Sequence, residues 1–363
     1  MKKIVTYFLS WYSHGMITFL LITCCLVFRA PWSECNAQDI HFSQFWMTPL
    51  LLNPANTGSF DANIRAVGNY KDQWRSITSY PYKTFALSLD MKLFKQKWKK
   101  SHLGAGINFF SDKAGVSGFG TTQGNLLIAY QTAISDEQAI SAGIQGGFAG
   151  RGFTYNTDVL LWGSECNDPV SGHDGTIPSN KDNLGFGDFS GGVLWKYRSE
   201  AATMSSNDGI IVDAGFAVHH INRPKLSYYG VGDSKLPVKM LGHCTSSIGF
   251  KNTNMGIEPG FLYANQGASR EIVIGTLVKY WLQERSRFTG LKQETTIALG
   301  AHYRVGDALI ISALLKAGHY KVGLSYDANL SRLTVASQGR GGFEISVRYV
   351  TPIEGGATIR TRL

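Results

Sequence analysis

The chain has 363 residues and a net charge of +9, from 35 Lys and Arg against 26 Asp and Glu, with charged residues at only 17% of its length. A soluble domain usually carries about a quarter charged residues, so the deficit argues against an exterior wetted on all sides. The positive excess suits anionic lipid headgroups or an acidic partner; no nucleic-acid-binding module accompanies it, and nucleic acid is not expected as a partner.

In chain order, Lys2 and Lys3, the apolar run from Met16 to Phe28 and the small Ala37 read as an export signal over 1–37, cleaved after Ala37. Beyond it, no apolar run approaches the roughly 18 to 20 residues that a helix needs to span a bilayer. Three of the five cysteines fall inside this leader. Cys166 and Cys244 remain, compatible with one disulfide or with two separate thiols. Segment 38–60 is irregular, because Pro49, Pro54 and Gly58 interrupt both the helical and the strand period. It is expected to pack as a plug-like segment at or in the lumen of a barrel built from the strands after it.

From Ala62 onward, segments of about ten residues alternate apolar and polar side chains, separated by Gly, Asn, Asp, Ser and Pro. Phe85, Leu87, Leu89 and Met91 oppose Ala86, Ser88 and Asp90; Phe343, Ile345, Val347 and Tyr349 oppose Glu344, Ser346 and Arg348; Tyr320, Val322, Leu324 and Tyr326 oppose Lys321, Gly323, Ser325 and Asp327. Strands are expected near 62–71, 81–91, 102–111, 121–133, 137–148, 186–198, 208–220, 240–250, 255–264, 270–282, 294–304, 307–316, 318–327 and 341–350, fourteen in all. Successive side chains of a strand face opposite ways, so each segment has one greasy face. A second sheet would cover that face in a soluble sandwich, and lipid would cover it in an outer-membrane barrel. The leader, the low charge and the repeated segment length favour an all-β, transmembrane antiparallel β-barrel over 61–350, with a tail at 351–363. If the chain enters from the periplasm, the connections after odd-numbered strands face outward. The long stretches 152–185, 221–239 and 328–340 all fall there.

The stretch 92–100 holds Lys92, Lys95, Lys97, Lys99 and Lys100 among apolar residues, on the opposite, inner side. It reads either as a solvated turn near headgroups or as a docking point for a periplasmic partner. Trp162, in loop 152–185, is a candidate external contact. Asp72, Trp74 and Arg75 follow the first strand. They are expected to form an ion pair and an interfacial tryptophan, or to help position segment 38–60. His219-His220 does not read as a metal site, since adjacent strand side chains diverge and no ligand cluster accompanies them. The glycines Gly143, Gly146, Gly147, Gly150 and Gly152 lack the Lys-Ser or Lys-Thr of a phosphate loop, and are better explained by bends and by room for the N-terminal segment. No catalytic constellation emerges; neither enzyme activity, nor a cofactor, nor a metal is expected.

The stretches QDIHFSQFWMTPLLLNPANTG (38–58), NYKDQW (69–74), LGAGINFFSDKAG (103–115), GFAVHHINRP (215–224), YRVGDA (303–308), VGLSYDANLSRL (322–333) and GGFEISVRY (341–349) together resemble the PorP/SprF family of type IX secretion and gliding-motility outer-membrane proteins. The resemblance implies a barrel that works with periplasmic ring lipoproteins to export or anchor an adhesin carrying a C-terminal sorting domain. The tail TPIEGGATIRTRL departs from it, since it does not end in an aromatic residue, which leaves Tyr349 as an internal substitute. A passive channel or hydrophobic-ligand transporter is the alternative function, and a soluble two-sheet adhesin the alternative fold.

Overall fold

A computed structural model describes residues 39–75, 77–94, 100–115, 118–152, 183–199, 209–226, 235–283, 293–331 and 334–351. Fourteen strands form one closed antiparallel barrel: β1 Ile64–Gln73, β2 Tyr82–Leu93, β3 Ser101–Ala114, β4 Phe119–Ala133, β5 Gln138–Gly152, β6 Asn183–Arg198, β7 Ile210–His219, β8 Lys239–Gly249, β9 Met255–Gln266, β10 Ser269–Gln283, β11 Thr295–Arg304, β12 Ala308–Ala317, β13 Tyr320–Asn329 and β14 Arg340–Val350. Each strand pairs with its sequence neighbours, and β1 closes on β14 with Arg65 opposite Val350 and Gln73 opposite Gly342. Closure leaves no open sheet edge, the condition for a sheet to exist in hydrocarbon, where unpaired backbone groups find no water. No helix among the described residues is long and apolar enough to cross a membrane.

The usual inside-out order of a soluble protein is reversed. Phe85, Leu87, Leu126, Ile144, Phe189, Ile311 and Leu324 point outward and stay exposed. Arg65, Lys71, Asp90, Asp188, Arg304, Asp327 and Glu344 point inward and are buried. The strand 320–329 makes the logic plain: Tyr320, Leu324 and Tyr326 are exposed, while Gly323, Ser325 and Asp327 between them are buried. The outward apolar belt meets lipid, and charge is admitted only where it faces a lumen in which it can be paired.

The barrel has two distinct ends. At the near end the chain enters β1 and leaves β14; at the far end the odd-numbered strands end and the even-numbered strands begin. The long connections expected after odd strands follow β5, β7 and β13, each of which ends at the far end; most of 152–185 and part of 221–239 lie outside the described residues. Small barrels fill their interior with wall side chains, whereas those of ~16 strands leave an aqueous channel. Fourteen strands approach the second case, and here the extra space is taken by the chain itself.

Candidate functional site

Segment 39–60 threads the lumen from the far end to the near end before becoming β1. Three short helical turns compact it: Phe45–Met47, Pro49–Leu52 and Pro54–Asn56. Pro49 and Pro54 begin the latter two, where the missing N–H costs nothing. Asn53 caps the last by accepting from the Ala55 N–H at 2.9 Å. These turns present Phe45, Met47, Leu50 and Leu52 to the wall, all buried. Phe45 and Leu52 pack with Leu241, Leu262, Val273 and Ile310; Met47 packs with Leu277, Ala298 and Leu314. Each such burial contributes ~1.5 to 3 kcal/mol, so the middle of the segment is held as an ordinary hydrophobic core.

At the far end the contacts are ionic. The Ser43 hydroxyl donates to Asp327 at 2.6 Å and accepts from Arg304 at 3.0 Å and Lys71 at 3.2 Å, which uses its full hydrogen-bonding capacity. The Glu344 carboxylate accepts from the backbone N–H of Ser43 at 2.7 Å and of Gln44 at 3.1 Å. Arg304 also pairs with Glu271 and Asp307, each at 3.1 Å, and with Asp327 at 3.2 Å. One serine of the segment thereby ties together β1, β11, β13 and β14, with β10 joined through Glu271 on Arg304.

A second far-end clasp holds Asp39. The His220 ring bridges Asp188 on β6, at 2.8 Å through Nδ1, and Asp39, at 2.5 Å through Nε2. Gln266 donates to Asp39 at 3.0 Å and accepts from its backbone N–H at 3.1 Å. Burial alone pushes the His220 pKa down, but hydrogen bonds to the two carboxylates outweigh it and raise the imidazole to about 9. Burial pushes the Asp39 carboxyl upward, yet the His220 hydrogen bond and charge hold it well below the usual carboxylate range.

At the near end the wall grips peptide groups instead. Arg65 forms a buried pair with Asp90 at 2.7 Å and donates to the Asn56 carbonyl at 2.9 Å, while Asp90 accepts from the Gly58 N–H at 2.8 Å. Ser141 donates to the Ala55 carbonyl at 2.8 Å, Lys196 to the Ser59 carbonyl at 3.1 Å, and Asn53 to the Val193 carbonyl at 2.9 Å. Two wall glycines make this approach possible. A Cβ on Gly104 would lie 2.1 Å from the Thr57 oxygen, and one on Gly143 would lie 2.5 Å from the Pro54 carbonyl.

The residues singled out from the sequence fall in several places. Asp72 lies within β1 rather than after it, because pairing with β2 and β14 continues through Gln73. Its side chain is buried and pairs with exposed Arg75 at 3.4 Å. Trp74, at φ 65°, packs edge-on against Tyr82 at 5.0 Å. It is the neighbouring Lys71 that reaches the luminal segment, through the His41 carbonyl at 3.3 Å. Lys92 lies in β2 with its ammonium over the Phe60 ring at 5.5 Å, and Lys100 is exposed at the near end. Lys95, Lys97, Lys99, Trp162 and Cys166 are outside the described residues; Cys244 is a half-buried free thiol.

His219 and His220 both turn inward, contrary to simple alternation, because His220 follows the end of β7 and takes φ 57°. His219 sits between Ser190 at 3.2 Å and the Leu52 carbonyl at 3.3 Å. No group of potential metal ligands occurs among the described residues. Sequence reasoning missed Ser43, Arg304, Asp327 and Glu344. For Arg304, Asp327 and Glu344 the signal was charge at the inward phase of spanning strands, where each ion requires a partner; Ser43, uncharged and outside the strands, carried none.

A family model described as type IX secretion system membrane protein PorP/SprF matches residues 34–349. No curated protein sequence matches the chain. Among solved structures, the chain is similar to the Ralstonia pickettii toluene transporter TbuX, at 12% identity, with 83% of this chain and 91% of that chain covered and a TM-score of 0.43. It is also similar to the P. putida toluene transporter TodX, at 10% identity, 84% and 93% coverage and a TM-score of 0.43. The translocator domain of the Neisseria meningitidis autotransporter NalP gives 9% identity, 85% and 96% coverage and a TM-score of 0.38.

Proposed function

The chain belongs to the PorP/SprF family of type IX secretion system membrane proteins, and from that premise we propose that it is the outer-membrane component that helps export or anchor an adhesin bearing a C-terminal sorting domain. The observation that carries the reading is the occupied lumen. With segment 39–60 bonded to the wall from end to end, the barrel offers partners its loops rather than a free passage. In this reading the far end faces outward and meets the adhesin through loop 152–185, Trp162 included. The near end faces the periplasm and meets ring lipoproteins through the basic turn holding Lys92, Lys95, Lys97, Lys99 and Lys100. Asp72, Trp74 and Arg75 shape the mouth of the first far-end connection, and neither a cofactor nor catalysis enters the reading.

The test is mild detergent extraction of the tagged chain with identification of what stays bound, together with a cell-surface assay for the adhesin in a strain lacking the chain. Co-purification of ring lipoproteins and loss of adhesin display are the expected results. Replacing the five lysines with Gln should leave membrane insertion intact and weaken ring recovery. Unchanged display without the chain would overturn the reading. A passive channel, by contrast, would conduct ions regardless of adhesin and retain no ring component.

A further inference from the structure

Beside the luminal segment, toward the near end, is a cavity of about 190 Å³ whose lining includes Trp46, Asp213, Glu258, His302, Lys321 and Arg348. Trp46, contributed by the segment, stacks on His302 of β11 with ring centroids 4.3 Å apart. Arg348 of β14 donates to the Trp46 carbonyl at 2.6 Å. Segment and wall thus fix these three side chains as one unit. Yet the indole Nε1–H of Trp46, the Nε–H of Arg348 and both ring nitrogens of His302 are shielded from solvent with no hydrogen-bond partner. A neutral imidazole offers one N–H and one acceptor nitrogen, so three N–H groups, of Trp46, Arg348 and His302, lack acceptors, which is costly unless something supplies them.

Charge points the same way. Arg348 forms no ion pair among the described residues, and the Glu258 carboxylate is shared between Lys279 at 3.0 Å and Lys321 at 3.8 Å. Asp213 faces Lys196 at 3.6 Å, an ion pair in which the carboxylate Oδ1 receives no hydrogen bond. Counting the lysines that engage these carboxylates, four cations (Lys196, Lys279, Lys321 and Arg348) stand around two carboxylates (Asp213 and Glu258), and donors lacking acceptors open on the same small space. An arginine fork beside an indole N–H and an ammonium is a good receptor for a carboxylate.

We infer that this cavity binds a small carboxylate, held by Arg348, Lys321 and the Trp46 indole N–H, with His302 completing the cradle. The site stands on the cavity alone and does not depend on a secretion role. The carboxylate could come from a free small acid or from the C-terminus of a polypeptide, and the two are separable.

Isothermal titration calorimetry on the full-length protein in detergent tests it with three probes: sodium acetate, trialanine with a free carboxylate, and trialanine amide. Saturable heat with acetate assigns a free acid. Heat with trialanine but not acetate assigns a chain end, and the amide stays silent in either case. Affinity should fall by at least about 10-fold in Arg348→Gln, the loss of one charge-assisted bond. Because Arg348 also holds the segment, Lys321→Gln provides a second variant that leaves that bond in place and should weaken binding in the same direction. No heat with any probe at millimolar concentration, equal heat with acid and amide, or undiminished binding in a folded Lys321→Gln protein would each overturn the site.

Discussion

At its far end the luminal segment meets the wall through ionisable side chains, with Asp39 against His220 and Ser43 among Lys71, Arg304 and Asp327. At its near end the wall holds peptide carbonyls and N–H groups from Ala55 to Ser59 and presses the backbone into glycine notches. The difference follows from chain connectivity. The near end continues within a few residues into β1, so a close steric fit positions it. The far end lies well upstream of β1 and depends on directional, charge-assisted bonds. The segment's own ionisable side chains, Asp39 and His41, both lie toward the far end, whereas at the near end it offers the wall only peptide groups.

The largest expected effect lies at the near end. Asp90→Ala leaves Arg65 as a buried unpaired charge and releases the Gly58 N–H. Breaking a buried pair in this way costs ~3 to 5 kcal/mol, which a urea titration of the lipid-reconstituted protein should register. Gly143→Val comes next: its side chain meets the Pro54 backbone, which has no flexible end to swing aside. An overpacking penalty of ~1 to 3 kcal/mol is expected, together with new protease cleavage within 50–60. If that variant unfolds no earlier than wild type, the steric account of the near end fails.

The far end should answer to pH. His220 is raised from 6.5 to about 9, so the stability it contributes is complete below pH 6.5 and is lost as pH rises through about 9. Asp39, whose pKa is lowered, works in the opposite sense: its contribution is present above about pH 4 and is lost only in strong acid. Labelling of a cysteine placed at Asp39's neighbour Ile40 should accelerate above pH 9, while a cysteine at Ala55 should stay protected over the same range. Equal protection at both positions would erase the contrast. The smallest effect belongs to Arg75→Ala, because the Arg75 side chain is 77% exposed and its ion pair faces water. A change within ~1 kcal/mol is expected in the same urea titration.

The strand pattern was legible because lipid contact imposes an apolar residue at every second position. The segments expected near 255–264 and 341–350 correspond to Met255–Gln266 and Arg340–Val350. Ends moved where alternation fades, as in β5, which runs on through Gly146, Gly147 and Gly150 to Gly152. The lumen was much less legible, since periodicity assigns a face but not a partner: Ser43 and Glu344 are 301 residues apart in sequence. One clue was present in β12, where Ile310 and Leu314 point inward although Ile311 and Leu315 already serve the lipid face. A spanning strand that is apolar on both sides marks a place where the lumen is packed. For the paired histidines, alternation implies opposite faces, which a positive φ at His220 overrides.

Single-molecule conductance in planar bilayers addresses the occupied lumen most directly, comparing the wild-type protein with a form lacking 39–59. The wild-type barrel should insert without sustained current, and the shortened form should give large, stable current steps. Wild-type currents as large as those of the shortened form would mean that the segment does not fill the barrel.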